Sequence, residues 1–227
     1  MREPINVSGM VLSASPVGEY DKRVVILTRE LGKITAFARG ARRMKSPLMA
    51  VSNPFVFGEF QVYEGRDSYT LSGANIKEYF LDLAQMQPGV YYGFYFLELA
   101  EYFGQEGNDE TQMLNLLYVT MNAIRRGKQD LRLIRCIFEL RTITISGEAP
   151  QMFSCMECGT KENLTVFSLR DSAIYCPNCG KTIRDPWPLQ PGTVLACRYI
   201  IAAPLAKLYG FTVNEEILDE LERLLRA

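Results

Sequence analysis

The segment RVVILTRELGKITAFA, residues 23–38, determines the fold predicted for the first part of this chain. Residues 23–28 form a run of aliphatic and β-branched side chains, which is typical of a buried strand. Residues 34–38 repeat that character after the sequence ELGK, whose glycine suits a tight turn. The segment therefore predicts a β-hairpin.

Three further strands are predicted on either side of this hairpin, at residues 5–14, 55–63 and 69–76. Gly9 lies inside the first of them, and a glycine within a strand is typical of a bend or bulge. A turn at residues 64–67 joins the last two strands. Five short strands in residues 1–80 favour a small closed barrel, because closure leaves no exposed strand edge.

After the fifth predicted strand, the hydrophobic period changes to that of helices. Residues 88–103 are apolar on nearly all sides, which predicts a buried central helix. A helix at residues 108–127 and a further helix capped by Asp130 are predicted to follow. Both begin with residues typical of a helix N-terminus. Helical patterns return at residues 193–209 and 214–225.

The composition excludes several classes of enzyme. The 227 residues include no histidine, so Ser-His-Asp and Cys-His nucleophiles, HExxH metalloproteases and Cys₂His₂ fingers are excluded. The sequence shows no cluster of Asp and Glu suited to two-metal hydrolysis. The chain is therefore predicted not to be an enzyme.

The sequence gives no indication of a membrane partner. It shows neither the pattern of a signal peptide nor an apolar segment long enough to cross a bilayer. These observations predict a cytoplasmic protein. A net charge of -1 supplies no whole-chain argument for a polyanionic partner, so any such argument must come from local charge.

The most specific motif is a pair of CxxC sequences at residues 155–158 and 176–179. Each CxxC can place two thiolates on one metal, and four thiolates at this spacing fit tetrahedral Zn²⁺. Because no coordination position stays open, the sequence predicts one structural Zn²⁺ per chain, in a zinc ribbon at residues 153–182. Free or redox-active thiols are the alternative. The predicted ligands are Cys155, Cys158, Cys176 and Cys179.

A basic segment covers residues 22–45, where eight Lys and Arg side chains face a single acid, Glu30. Beside a strand face of a small barrel, such a segment suits contacts with nucleic-acid phosphates. A solvated charged surface is the alternative interpretation. The residues predicted to bind DNA are Lys22, Arg23, Arg39, Arg42, Arg43 and Lys45.

A second basic stretch lies in the helical part of the chain. Residues 1–80 hold 11 basic and 8 acidic side chains, whereas residues 81–150 hold 6 and 9, so the barrel is the more basic part. The preference of helix C-termini for cations explains part of the second stretch. Its members are secondary candidates for DNA binding: Arg125, Arg126, Arg132 and Arg135.

Residues 19–33, EYDKRVVILTRELGK, and residues 38–43, ARGARR, resemble the N-terminal signature of the bacterial RecO family of DNA repair proteins. With the late CxxC pair, the resemblance extends over essentially the whole chain. It implies an α+β protein with an N-terminal OB-fold β-barrel at residues 1–80. An all-α domain at residues 81–227 would follow, with the Cys₄ zinc ribbon inserted at residues 153–182.

The resemblance also implies a recombination mediator that binds single- and double-stranded DNA and anneals complementary strands. With its partner RecR it would help RecA onto DNA coated by single-strand-binding protein, whose C-terminal tail it would contact, in the nucleoid. From the residues themselves two other classes stay open. One is a zinc-ribbon and OB-fold protein that binds RNA in transcription or translation, and the other is an OB-containing nuclease or ligase-like enzyme.

Overall fold

The structure is a computed structural model that describes residues 3–226, and its chain divides into two compact units, Met1–Arg125 and Arg126–Ala227. The first unit contains five strands: β1 at Ile5–Val17, β2 at Asp21–Thr28, β3 at Gly32–Ala38, β4 at Phe57–Glu64 and β5 at Tyr69–Glu78. They form a closed barrel in the order β1-β2-β3-β5-β4. A five-stranded barrel of this kind is an OB-fold, as the sequence predicted.

The barrel closes because β1 pairs with β2 along one edge and with β4 along the other, both antiparallel. The predicted hairpin is confirmed as β2 and β3, whose register runs from Lys22 opposite Ala38 to Thr28 opposite Gly32. β3 and β5 run parallel where they pair. Because Lys22, near the start of β2, lies opposite Ala38 at the end of β3, the basic loop that follows β3 lies at the same end of the barrel as the β1–β2 turn.

Gly9 in β1 serves a close backbone approach rather than the bulge that its position suggested. A Cβ atom at residue 9 would lie 2.5 Å from the carbonyl oxygen of Leu27, so any larger residue would push the strands apart. The irregularity of β1 lies further along, between Val11 and Ser13.

Alternate side chains of the strands fill the barrel. Val24, Ile26, Ile34, Ala36 and Phe60 are each at most 1% exposed and belong to one hydrophobic cluster. Because neighbouring side chains of a strand point to opposite faces, the residues between these positions point away from the barrel interior. On β2 two of them, Val25 and Leu27, are buried as well, so Arg23 near the start of the strand is its exposed side chain.

The first unit also contains a short helix α1 at Leu48–Val51, a 3₁₀ segment at Leu81–Gln85, helix α2 at Gly89–Phe103 and all but the last residue of helix α3 at Thr111–Arg126. The prediction that residues 88–103 are buried on nearly all sides is wrong for one face of α2. Phe96 and Leu97 are buried, but Tyr91 is 63% exposed and Tyr102 is 80% exposed. Aromatic residues occur on both faces of this helix, so its periodicity could not identify the open side.

In the second unit three helices pack on one another: α4 at Leu131–Ile145, α6 at Pro191–Ala202 and α8 at Glu215–Arg226. The cysteine-bearing segment lies between α4 and α6 in sequence. It contains the strands β6 at Val166–Ser168, β7 at Ala173–Tyr175 and β8 at Trp187–Pro188. β6 pairs with both β7 and β8 in a three-stranded sheet. The remaining elements of the second unit are α5 at Pro177–Gly180 and α7 at Leu205–Leu208.

The ends of the helices follow the signals in the sequence. Asp130 caps α4 by accepting a hydrogen bond from the backbone N–H of Arg132 at 2.7 Å.

Within residues 3–226, no helix is both long and apolar enough to cross a membrane. The first compact unit extends through Arg125 and so includes helices that follow the barrel. The domain boundary predicted at residue 80 stays a prediction.

Candidate metal centre and cationic surface

The four predicted ligands converge on one point of the second unit. The Sγ atoms of Cys155, Cys158, Cys176 and Cys179 all lie within 4.8 Å of one another, and those of Cys158 and Cys176 are 3.9 Å apart. Tetrahedral coordination with Zn–S bonds of about 2.3 Å places sulfur atoms ~3.8 Å apart. The arrangement therefore fits a tetrahedral metal bound by four thiolates.

Two turns hold the cysteines in this position. The backbone N–H of Gly159 donates to the carbonyl of Cys155 at 2.9 Å, and that of Gly180 donates to Cys176 at 2.8 Å. Gly159 has a φ of 74°, which favours glycine over every larger residue. A Cβ at residue 180 would lie 2.8 Å from Val166 Cγ2, so this glycine permits the turn to pack on β6.

The electrostatics of the cluster suit a cation. Burial alone would raise the pKa of Cys155, but backbone N–H groups of Cys158, Cys176 and Glu157 lower it to about 6. A backbone hydrogen bond at Cys179 lowers the pKa of Cys176. A hydrogen bond to Cys176 raises the pKa of Cys179 to about 12. A bound dication would displace the thiol protons of the cluster, because the thiolate is the form that ligates a metal.

The basic loop at residues 39–45 is hereafter called the cationic loop, and backbone contacts fix it to the β1–β2 turn. Asp21 Oδ1 accepts a hydrogen bond from the backbone N–H of Gly40 at 2.7 Å. The backbone N–H of Arg42 donates to the carbonyl of Tyr20 at 2.8 Å, and Arg42 Nη1 donates to the carbonyl of Gly18 at 3.2 Å. Gly40 has a φ of 68°, which its lack of a Cβ permits.

The cations at this end of the barrel lie close together. Burial lowers the pKa of Lys22, and the nearby charge of Arg42 lowers it further. Lys22 Nζ donates a hydrogen bond to Asn53 Oδ1 at 2.7 Å. The Arg43 guanidinium carbon lies 4.9 Å from the centroid of the Tyr20 ring. In the part of the chain that the structure describes, no ion pair engages these cations: Lys22, Arg23, Arg39, Arg42, Arg43 and Lys45.

Arg23 extends the cationic surface onto the outer face of the barrel. It is exposed and pairs across the β2–β3 ladder with Phe37. In OB-folds the β2–β3 face and the β1–β2 loop are the places where oligonucleotides bind. The sequence analysis missed Tyr20, which lies in this loop and is 42% exposed. Its position beside the basic run could have indicated it.

The secondary candidates have a different environment, because carboxylates engage most of them. In the first unit Arg125 pairs with Glu78 at 2.9 Å and with Asp82 at 2.6 Å. In the second unit Arg132 pairs with three acids of α8, and Arg135 pairs with Glu222 at 2.6 Å. Arg132 and Arg135 of α4 thus have a structural role, because their ion pairs join α4 to α8. DNA binding by the four secondary candidates stays a prediction.

An OB barrel whose surface cations form no ion pair in the described residues, in one chain with a helical unit that carries a four-thiolate site, is typical of nucleic-acid-binding proteins. Comparison with known proteins identifies the particular family. Residues 1–80 match the family model for the N-terminal part of recombination protein O, and residues 89–227 match the model for its C-terminal part. The chain belongs to the RecO family of DNA repair proteins.

Individual relatives agree over nearly the full length. The DNA repair protein RecO of Alkaliphilus metalliredigens is 32% identical over 223 residues, which cover 98% of this chain and 91% of the relative. That of Acetivibrio thermocellus is 28% identical over 222 residues, or 97% of this chain and 88% of the relative. That of Bacillus pumilus is 30% identical over 223 residues, which cover 97% of this chain and 86% of the relative.

Proposed function

We propose that the chain is a recombination mediator whose barrel binds single- and double-stranded DNA through the cationic loop, Lys22 and Arg23. One observation carries the proposal: these cations lie at the β1–β2 end and on the outer face of an OB-type barrel, and in the described residues none of them forms an ion pair. Nothing in their arrangement matches bidentate base recognition, so they contact phosphates and bind with little sequence preference. Family membership favours DNA over RNA as the partner.

In this proposal the chain acts by binding and not by catalysis. It anneals complementary strands, acts with RecR, contacts the C-terminal tail of single-strand-binding protein and so helps RecA to load. The support for these partners is membership of the RecO family. Arg126 is exposed and outside every ion pair in the described residues, so it is the secondary candidate best placed to add to DNA binding.

The proposed metal is one structural Zn²⁺ per chain, held by the four thiolates. Sulfur ligands in a tetrahedral arrangement select Zn²⁺ over Mg²⁺, Ca²⁺ and Mn²⁺, which prefer oxygen. Four protein ligands leave no position for a reacting water, so the metal contributes to folding.

The DNA proposal is tested by the double substitution Arg42→Ala and Arg43→Ala. Each lost phosphate contact reduces the slope of log K against log salt by ~0.7 for single strands and ~0.9 for duplex. Two lost contacts therefore flatten the slope by about 1.4 and about 1.8, equally for all sequences. Fluorescence anisotropy titrations at several salt concentrations measure both slopes. The thermal midpoint should hardly change, because exposed loop charges contribute little stability.

The matched control removes the same charge elsewhere, with Lys161→Ala and Lys207→Ala, both exposed side chains outside the predicted DNA-binding residues. An unchanged slope in this control and a reduced one in the loop variant support the proposal. The reverse result would move the DNA site to the second unit. Unchanged slopes in both variants would leave the cationic loop as a solvated charged surface.

A further inference from the structure

An exposed aromatic ring lies in the middle of the cationic surface. Tyr20 belongs to the β1–β2 turn and keeps 42% exposure, while the guanidinium of Arg43 lies over its ring. Its backbone carbonyl also accepts the Arg42 N–H that fixes the cationic loop. The ring and the two arginines are thus held next to each other by the same turn.

We propose that the Tyr20 ring is a stacking platform for an unpaired base, so that it determines the preference of this surface for single strands over duplex. The inference rests on the proposed DNA binding of the cationic loop. Phosphates are present on both forms of DNA, so Arg42 and Arg43 can hold either. Only a single strand offers an unpaired base to a ring, because duplex bases already stack on one another.

The position of the ring supports this assignment over a purely structural role. Tyr20 is more exposed than most aromatic residues of the first unit, so its ring is accessible to a ligand. Its neighbours are guanidinium groups, which also stack on bases. A ring with adjacent cations at the β1–β2 loop of an OB-fold has the chemistry of a single-strand site.

The substitution Tyr20→Leu removes the aromatic face and keeps an apolar side chain. It should weaken single-strand binding about 10-fold and duplex binding less than about twofold, because stacking contributes only where a base is unpaired. Tyr20→Phe should stay within about twofold of the wild type on both substrates. The salt slope of Tyr20→Leu should not change, because no phosphate contact is lost.

Tyr102→Leu is the matched control, since Tyr102 is 80% exposed. Lys33 Nζ, at the start of β3, donates to the carbonyl of Glu101 at 2.5 Å. Tyr102 therefore lies at the opposite end of the β2–β3 hairpin from Tyr20, roughly 20 Å away at ~3.3 Å per strand residue. Its substitution should leave both affinities unchanged.

The measurement is anisotropy with a labelled oligothymidine and a labelled duplex at fixed salt. The result is read as the duplex dissociation constant divided by the single-strand dissociation constant. A reduced ratio for Tyr20→Leu alone supports the inference. Equal weakening on both substrates would show that Tyr20 only positions Arg43 and would overturn it, as would an unchanged ratio. The Arg42 and Arg43 variant tests DNA binding itself through the salt slope, so the two proposals fail by different readouts.

Discussion

Replacing Cys176 by Ser should unfold the cysteine-bearing segment while the barrel stays intact. Cys176 is one of four sulfur atoms within 4.8 Å of one another, and a serine hydroxyl is a poor substitute for a thiolate toward Zn²⁺. The segment's own sheet has strands of only 3, 3 and 2 residues. Such a sheet is too small to be stable without the metal or its surroundings.

The size of the effect follows from the side chains that the segment buries. Leu164, Phe167 and Ile174 are 5%, 4% and 0% exposed. Burial of each contributes about 1.5–3 kcal/mol, so their release removes at most about 5–9 kcal/mol from the unfolding free energy of the second unit. The first unit contains none of these residues and should unfold at its wild-type denaturant midpoint.

Metal content per chain after gel filtration and limited proteolysis measure the two consequences. The wild type should carry one equivalent of zinc and resist cleavage between residues 153 and 182, whereas Cys176→Ser should lose both properties. Cys136→Ala is the control, because burial raises the pKa of that thiol to about 12 and keeps it a buried apolar group. A Cys176→Ser protein with full zinc and full protease resistance would refute the reasoning.

Two further predictions concern hydrogen bonds to carboxylates. Asp21→Ala removes the hydrogen-bond acceptor of the Gly40 N–H, which helps to fix the cationic loop. It should weaken DNA binding about fivefold in an anisotropy titration, although it also removes a negative charge. Tighter binding would show that loop geometry does not matter. The hydrogen bond from Arg132 lowers the pKa of Glu222, so this carboxylate stabilises the fold above its unfolded pKa and loses that effect as pH falls through the lower, folded value. Urea unfolding at pH 7 and pH 3 should therefore show a smaller acid-induced loss in Glu222→Gln than in the wild type.

Much of the fold could be predicted because the signals are local. The run at residues 24–27 and the alternation of residues 57–63 each identify a strand without any knowledge of its partner. The open face of α2 could not be predicted in the same way. Phe94 and Phe96 are the same residue type, but one is 43% exposed and the other is buried, and only the elements packed against the helix decide which.

The two candidate sites differ in the same respect. The CxxC pairs carry their ligand spacing in the sequence, and the structure brings all four thiols together. The arrangement of Tyr20 against Arg43 depends on how a turn and a loop that are 23 residues apart meet at one end of the barrel. A pattern of short period contains no information about such a contact, so the ring was missed although the cations were identified.

Partner acids give similar basic runs in this chain different electrostatic surroundings. Arg132 and Arg42 both lie among other cations in sequence, but Arg132 meets three acids that lie 83 to 90 residues away along the chain. Those acids cancel its charge toward any external phosphate, and in return the pairing stabilises the contact between α4 and α8. Arg42 donates only to a neutral carbonyl, so its full charge remains available. A chain of net charge -1 can thus present a local cationic surface, because most of its acids lie outside residues 22–45 and several of them are paired with arginines there.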